Sequence, residues 1–209
     1  VAQYARAFGL GQPTGLDLPG EAPGLVPDAS WKQQQFGEGW VLGDTYTLGI
    51  GQGYLTATPM QMAVATAAIA NGGDVLVPRV VAARRVDGRA EATPRLVRGQ
   101  VPVDAKNLEA VRAAMLAAAS KDGTATDGKP DGVTIGAKTG TAEFGTQLPD
   151  GSYDSHGWYV AFAPYERPEV AVVVYLEHGV GATHAGPVAK QILQTYFALP
   201  GRPRDRKST

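Results

Sequence analysis

Apolar residues fall into two periods along this chain. From 59 to about 70, Met60, Met62, Val64, Ala67 and Ile69 leave almost no polar face. This predicts a buried helix with Thr58 as N-cap, Pro59 in its first position and Asn71-Gly72-Gly73 as its stop. From about 105 to 119, Leu108, Val111, Met115 and Ala118 recur at helical spacing behind Asp104 and predict a second helix with one buried stripe. Pro187 opens a last helical pattern through Val188, Ile192, Leu193, Tyr196 and Phe197. Residues 1–8 read as the end of another helix, stopped at Gly9.

Elsewhere the pattern favours extended chain. Residues 133–144, 156–163 and 169–177 predict three strands, the third a continuous apolar run of the kind a buried strand carries. The connections between them are short, so they form an antiparallel meander, with the last helix over one face. Shorter, irregular strands are expected at 75–77, 80–86 and 95–97. Eight glycines and prolines between Gly9 and Asp28 leave no room for regular structure, and an ordered loop of that length wraps a surface or carries function. Trp31 and Trp40 are expected as core anchors rather than groove-lining residues. The fold class is α/β of the α+β kind, a three-stranded antiparallel meander packed by helices. Residues 1–200 make the folded portion and 201–209 a basic, disordered tail.

The stretch with chemistry in it is Val133-Thr134-Ile135-Gly136-Ala137-Lys138-Thr139-Gly140-Thr141-Ala142-Glu143-Phe144. Alternation puts Lys138 and Gly140 on one face of the strand and Thr139 and Thr141 on the other. At a sheet edge its spare N–H groups can take up an extended peptide by strand addition. A cation, hydroxyls and free backbone donors together suit a peptide that ends in a carboxylate, each charge-assisted hydrogen bond contributing roughly 1.5–3 kcal/mol.

Composition removes alternatives. Nineteen basic against twenty acidic residues give a net charge of −1, which argues against nucleic acid as a partner. There is no cysteine, hence no disulfide and no thiolate metal site. The longest apolar runs, 63–70 and 170–176, are too short to span a bilayer. No initiator methionine or signal peptide opens the sequence, which reads as cut from something longer. Gly49-Ile50-Gly51-Gln52-Gly53 fits neither phosphate-binding glycine pattern. His156, His178 and His184 are not spaced as a metal cluster. His156 is expected as a hydrogen-bonded structural histidine, Glu143 and Asp154 as solvated loop charges, and Trp158-Tyr159 as packing. No cofactor and no metal are expected.

Lys138-Thr139-Gly140 is also one of the three signatures of penicillin-recognising serine acyltransferases, beside Ser-x-x-Lys and Ser-x-Asn. Alone it says little, but it does not stand alone. Six further blocks precede it in order: Tyr4-Ala5-Arg6-Ala7-Phe8-Gly9-Leu10-Gly11, Thr14-Gly15-Leu16-Asp17-Leu18-Pro19-Gly20-Glu21, Gly43-Asp44-Thr45, Gly49-Ile50-Gly51-Gln52-Gly53, Thr56-Ala57-Thr58-Pro59-Met60-Gln61-Met62-Ala63 and Ala70-Asn71-Gly72-Gly73. With Gly136–Glu143 they resemble, up to the final helix, the class B penicillin-binding proteins, the elongation-type peptidoglycan DD-transpeptidases. The resemblance implies the C-terminal part of a β-lactamase/transpeptidase-like fold. It implies that Lys138 positions and polarises a carboxylate, that the hydroxyls of Thr139 and Thr141 hydrogen-bond it, and that the Thr141 N–H beyond Gly140 is one oxyanion-hole donor. It implies stem peptides of peptidoglycan and β-lactam antibiotics as ligands, a membrane glycan polymerase as partner, and a place on the extracytoplasmic face of the membrane behind an N-terminal anchor.

One departure stands against it. None of the five serines, Ser30, Ser120, Ser152, Ser155 and Ser208, is followed by lysine three residues on, and Ser-x-Asn is missing. In the family both motifs lie upstream of the block matching Tyr4–Gly11. The expectation is therefore a transpeptidase piece that begins just after Ser-x-Asn, lacks the nucleophile and the first strands of the sheet, and is inactive alone. A β-lactamase or DD-carboxypeptidase of the same superfamily, and a non-catalytic β-lactam-sensing or wall-binding module, are the alternatives.

Overall fold

The computed structural model describes residues 1–147 and 149–198, so the tail expected at 201–209 lies outside the described residues. The chain divides into two compact units, Val1–Val111 and Arg112–Thr209.

The first unit holds helices α1 (Ala2–Ala7), α2 (Ala29–Phe36), α3 (Leu42–Gly49) and α4 (Pro59–Ala70). Four short strands follow: β1 (Asp74–Leu76), β2 (Ala83–Val86), β3 (Arg89–Ala92) and β4 (Val97–Gln100). Helix α4 forms where the sequence predicts it. The Thr58 hydroxyl accepts the Gln61 N–H at 3.1 Å, and the Gln61 side chain accepts the Thr58 N–H at 2.9 Å. Val64 and Ala68 of this helix pack with Val75, Val101 and Leu108 in the unit's core.

The strands differ from expectation. β1 pairs antiparallel with β4, which starts at Val97 and not Arg95, and β2 pairs with β3, which the pattern did not predict. The β2–β3 hairpin turns on Asp87 (φ 48°) and Gly88 (φ 78°), the left-handed pair a two-residue turn requires. β2 begins at Ala83 because the N–H groups of Val80 and Val81 are taken by the Asp17 carboxylate, at 2.6 and 3.1 Å.

Those bonds belong to a set that straps the glycine- and proline-rich loop down. Gln61 Nε2 donates to the carbonyls of Gln12 and Pro23, both at 2.8 Å. Arg98 donates to those of Pro13 (2.8 Å) and Thr14 (2.6 Å). The Glu21 carboxylate accepts the Thr14 hydroxyl and the N–H groups of Thr14, Gly15 and Leu16. The Thr14 hydroxyl, then the backbone donors, hold Glu21 below the usual carboxylate range, and Val80, then Val81, do the same for Asp17.

Helices α2 and α3 were not expected. Asp28 caps α2 by accepting the Trp31 N–H at 2.9 Å, and Gly37 ends it in the left-handed region. Asp44 accepts both the Val41 N–H at 2.8 Å, at the start of α3, and the Lys32 ammonium at 2.7 Å. Lys32 and Asp44 are 6% and 13% exposed, and each shifts the other toward its charged form. The buried residue of α2 is thus the lysine. Trp31 and Trp40 are only half-buried, contrary to expectation. Trp31 meets Phe36 and Tyr54 at ring distances of 5.6 and 5.1 Å, and the Trp40 indole donates to Thr45 at 2.9 Å.

Helix α5 (Ala105–Ala118) buries Leu108 and Met115, while Val111, expected on the stripe, is exposed and Ala118 is half-buried. In the second unit, β5 (Gly136–Phe144), β6 (Asp154–Ala163) and β7 (Val170–Leu176) form the expected antiparallel meander in chain order. A π-helical turn at Gly181–Ala185, not foreseen in the loop, leads into α6 (Gly186–Ala198). Ala185 of the turn and Ala189 and Leu193 of α6, four residues apart, form one buried row, whereas Val188 and Ile192, one position round, are exposed. The core they enter contains Ile135, Ala137, Tyr159, Ala161, Val172 and Val174. β7 is not buried on both faces as its apolar run suggested: Val172 and Val174 point inward and Tyr175 outward, the one-sided burial of an antiparallel strand.

Tyr159 is fully buried, and its hydroxyl donates to the Ala125 carbonyl at 2.6 Å. The ring fits because residue 128 is glycine: a Cβ there would fall 2.2 Å from the phenol carbon. Burial pushes the phenol well above the usual tyrosine range.

Two outcomes follow from these bonds. Tyr159→Phe leaves the Ala125 carbonyl with only the long bond from the Gly128 N–H, at 3.4 Å, and should lower unfolding stability by about 0.5–1.5 kcal/mol, read by urea denaturation; an unchanged midpoint would show that the hydroxyl holds nothing. Glu21 is depressed in the folded state, so its stabilisation is present above the ordinary glutamate value of roughly 4.3 and is lost as pH falls through the folded value. The thermal midpoint of the parent should exceed that of Glu21→Gln at pH 7, and the gap should close in acid. A gap that persists unchanged at pH 3 contradicts this.

Candidate functional site

β5 bonds to β6 on one side and, among the described residues, to no strand on the other. The register sets Lys138 opposite Val160, Thr139 opposite Tyr159, Gly140 opposite Trp158 and Thr141 opposite Gly157. Tyr159 is core, so Thr139 and Thr141 share the face that α6 covers, and Lys138 and Gly140 share the opposite one, as alternation predicts. Lys138 is exposed, and its ammonium donates to the carbonyl of Thr139 at 2.5 Å.

The two threonines acquire neighbours that the sequence does not point to. Thr139 Oγ1 is 3.5 Å from Thr124 Oγ1, across fifteen residues. Thr141 Oγ1 accepts the N–H of Gly181 at 3.3 Å, across forty. No local pattern could have found either contact. Thr139 and Thr141 are two apart, so their backbone groups leave the strand on one side and those of Gly140 on the other.

On the Lys138 face, beyond Gly140, lies a row of rings. Trp158 packs on Tyr175 at 4.6 Å, and His156 stacks on Phe144 at 4.0 Å. His156 Nδ1 is 2.7 Å from the Glu177 carbonyl oxygen and 3.1 Å from the Tyr175 hydroxyl, which makes it the structural histidine expected. Glu143 and Asp154 are not brought together: Glu143 is opposite Ser155, and Asp154 pairs with His178 at 2.6 Å. No cluster of metal-ligating side chains occurs among the described residues.

No described serine is armed as a nucleophile. Ser120 and Ser155 donate to the carbonyls of Ala117 and Gly179, Ser152 donates to the Asp150 carboxylate, and the Ser30 oxygen accepts from Gln34. None of these hydroxyls is bonded to a lysine or histidine, the bases that activate a catalytic serine.

A lysine-bearing edge strand backed by a C-terminal helix, with the blocks upstream of it, defines a class of domain. The chain belongs to the penicillin-binding protein transpeptidase domain family, whose model matches residues 1–194. It is 36% identical to the peptidoglycan D,D-transpeptidase MrdA of Acinetobacter baumannii over 93% of this chain and 30% of that protein. Against MrdA of Escherichia coli it is 35% identical over 92% of this chain and 32% of that protein. Its fold matches the crystal structure of Pseudomonas aeruginosa PBP2 in complex with WCK 5153, with a TM-score of 0.80 and 33% identity over 96% of this chain and 44% of that one. It also matches Helicobacter pylori PBP2 in a complex with MreC, with a TM-score of 0.75 and 33% identity over 92% of this chain and 34% of that one. These relatives are of the class B, elongation type that the sequence blocks resemble. The chain spans about a third of the length of the curated relatives it matches.

Proposed function

We propose that this chain is the C-terminal part of the transpeptidase domain of a peptidoglycan DD-transpeptidase, and that β5 is the edge on which its substrate is held. The observation that carries the reading is β5 itself: among the described residues one side is paired and the other bonds to no strand, with exposed Lys138 beside it. Lys138, Thr139 and Thr141 receive the terminal carboxylate of a stem peptide, or that of a β-lactam. Gly140 leaves the Lys138 face low between them.

The chemistry is acyl transfer from a peptide to a serine and then to an amine. Negative charge grows on the carbonyl oxygen in each step, and a fixed N–H aimed at that oxygen contributes about 2.7–4 kcal/mol to the transition state. The Thr141 N–H is the donor for this role. It shares its side of β5 with the Thr139 carbonyl, which the exposed Lys138 ammonium reaches. The serine itself, in Ser-x-x-Lys, belongs to a part of the protein outside this sequence.

The complete protein would work in wall synthesis on the extracytoplasmic face of the membrane, held by an anchor outside this sequence and paired with a glycan polymerase. That Helicobacter pylori PBP2 forms a complex with MreC supports a protein partner for the complete protein; the polymerase is carried by the family resemblance alone. Among the described residues no helix is long and apolar enough to cross a membrane.

Two experiments test the assignment. The purified 209-residue chain, treated with fluorescent penicillin, should give no denaturation-resistant band; a covalent band would mean that one of its own serines is the nucleophile. In the complete protein, Lys138→Ala should lower the penicillin acylation rate at least tenfold, about 1.4 kcal/mol, with a thermal midpoint close to the parent. An alanine variant within about threefold of the parent rate, a deficit under roughly 0.7 kcal/mol, would make Lys138 a solvated strand lysine and remove the site.

A further inference from the structure

Residues 179–181 cross the sheet on the face that carries Thr141, and glycines let them lie flat on it. A Cβ on Gly157, the register partner of Thr141, would stand 3.0 Å from the Gly179 carbonyl oxygen. A Cβ on Gly181 would fall 2.3 Å from the Gly140 carbonyl oxygen and 2.4 Å from that of Trp158. The crossing is pinned on both sides. Gly179 donates to the Ser155 carbonyl at 2.8 Å and accepts the Ser155 hydroxyl at 3.0 Å. The Val180 N–H donates to His184 Nδ1 at 3.0 Å. Between these ties the Gly181 N–H is held 3.3 Å from Thr141 Oγ1.

A threonine hydroxyl has one proton to give and two lone pairs to receive with. Receiving the Gly181 N–H occupies a lone pair, so the hydroxyl proton is turned away from Gly181 and is the only one left to donate. A hydroxyl that accepts one bond also donates the next more strongly.

We propose that Gly181 is a positioning residue: its N–H orients the Thr141 hydroxyl so that the hydroxyl proton is donated to the ligand's carboxylate. This rests on the reading of β5 as a carboxylate-binding edge. Gly181 touches no ligand; it acts through Thr141, and any side chain at 181 would push on Gly140 as well.

The test uses the complete protein and two acylating ligands, benzylpenicillin and its methyl ester, which lacks the anionic carboxylate. Thr141→Val should lower the second-order acylation rate with the acid about tenfold or more and leave that with the ester within about twofold; Thr141→Ser should restore the acid rate. Gly181→Ala, whose Cβ drives the N–H away from Thr141 and also presses on Gly140, should slow the acid about tenfold more than the ester, and adding it to Thr141→Val should slow the acid no more than it slows the ester. Gly181→Ala slowing acid and ester alike, or slowing neither, overturns the proposal. Should Gly181→Ala fail to fold, amide hydrogen exchange decides: Gly181 protection should fall in Thr141→Val, and unchanged exchange overturns the proposal. Lys138→Ala separates the two readings. If it leaves the acid rate at the parent level, the site in β5 fails and this inference with it. If it lowers that rate while Gly181→Ala does not, only this inference fails.

Discussion

Among the described residues β5 is hydrogen-bonded to a strand along one side only, and much of the second unit can be understood as what that costs and what offsets it. A strand tied on one side twists and frays more readily than one tied on both. Here the missing constraint comes from behind. Tyr159, opposite Thr139, is locked into the interior by its bond to Ala125. The glycine crossing at 179–181 lies directly against Gly140 and Trp158. Ala185, Ala189 and Leu193 close the same face. The open side is thereby held in place without a second strand, the rigidity that the proposed carboxylate and oxyanion site on this edge would require.

The first unit is ordered by other means. Its apolar core is small, and the long loop over it has too few apolar residues to be held by burial. Carboxylates, one glutamine and two arginines hold it instead: Asp17, Glu21, Gln61 and Arg98 each saturate several backbone groups at once, and Arg6 takes the Val26 carbonyl. Gln61 is the most deeply buried of these, and its amide satisfies Gln12, Pro23 and Thr58 together. A buried amide of this kind has every donor and acceptor assigned, so it fixes where the loop must run as well as that it stays.

What was legible in the sequence follows the range of the forces involved. Thr58 and Pro59 announce α4 because capping acts over three residues. The meander and its open edge were legible because alternation and short turns are local signals. Lys138, Thr139 and Thr141 stood out for the same reason. Helices α2 and α3 were not legible: their apolar pattern is weak, and the contacts that fix them, Asp28 to Trp31 and Lys32 to Asp44, are single polar bonds. The tryptophans misled because a large ring usually implies core, whereas here a lysine takes the interior position. Gly181 and Thr124 were beyond reach, since only the folded chain brings them to β5.

β7 has consequences that β5 does not. Its outer side is also open among the described residues, but it carries Val170-Ala171-Val172-Val173-Val174-Tyr175-Leu176 and no charge. β5 bears Lys138 in its middle, a residue that discourages a second strand from docking because pairing would strip water from the ammonium. β7 has no such gatekeeper, and a seven-residue uncharged run, five of it valine or tyrosine, leaves a full ladder for an adjoining strand. The two borders of one small sheet thus have opposite colloidal character. One carries a cation along its length, and the other is an uncharged ladder suited to the further strands of the sheet that the resemblance places outside this sequence.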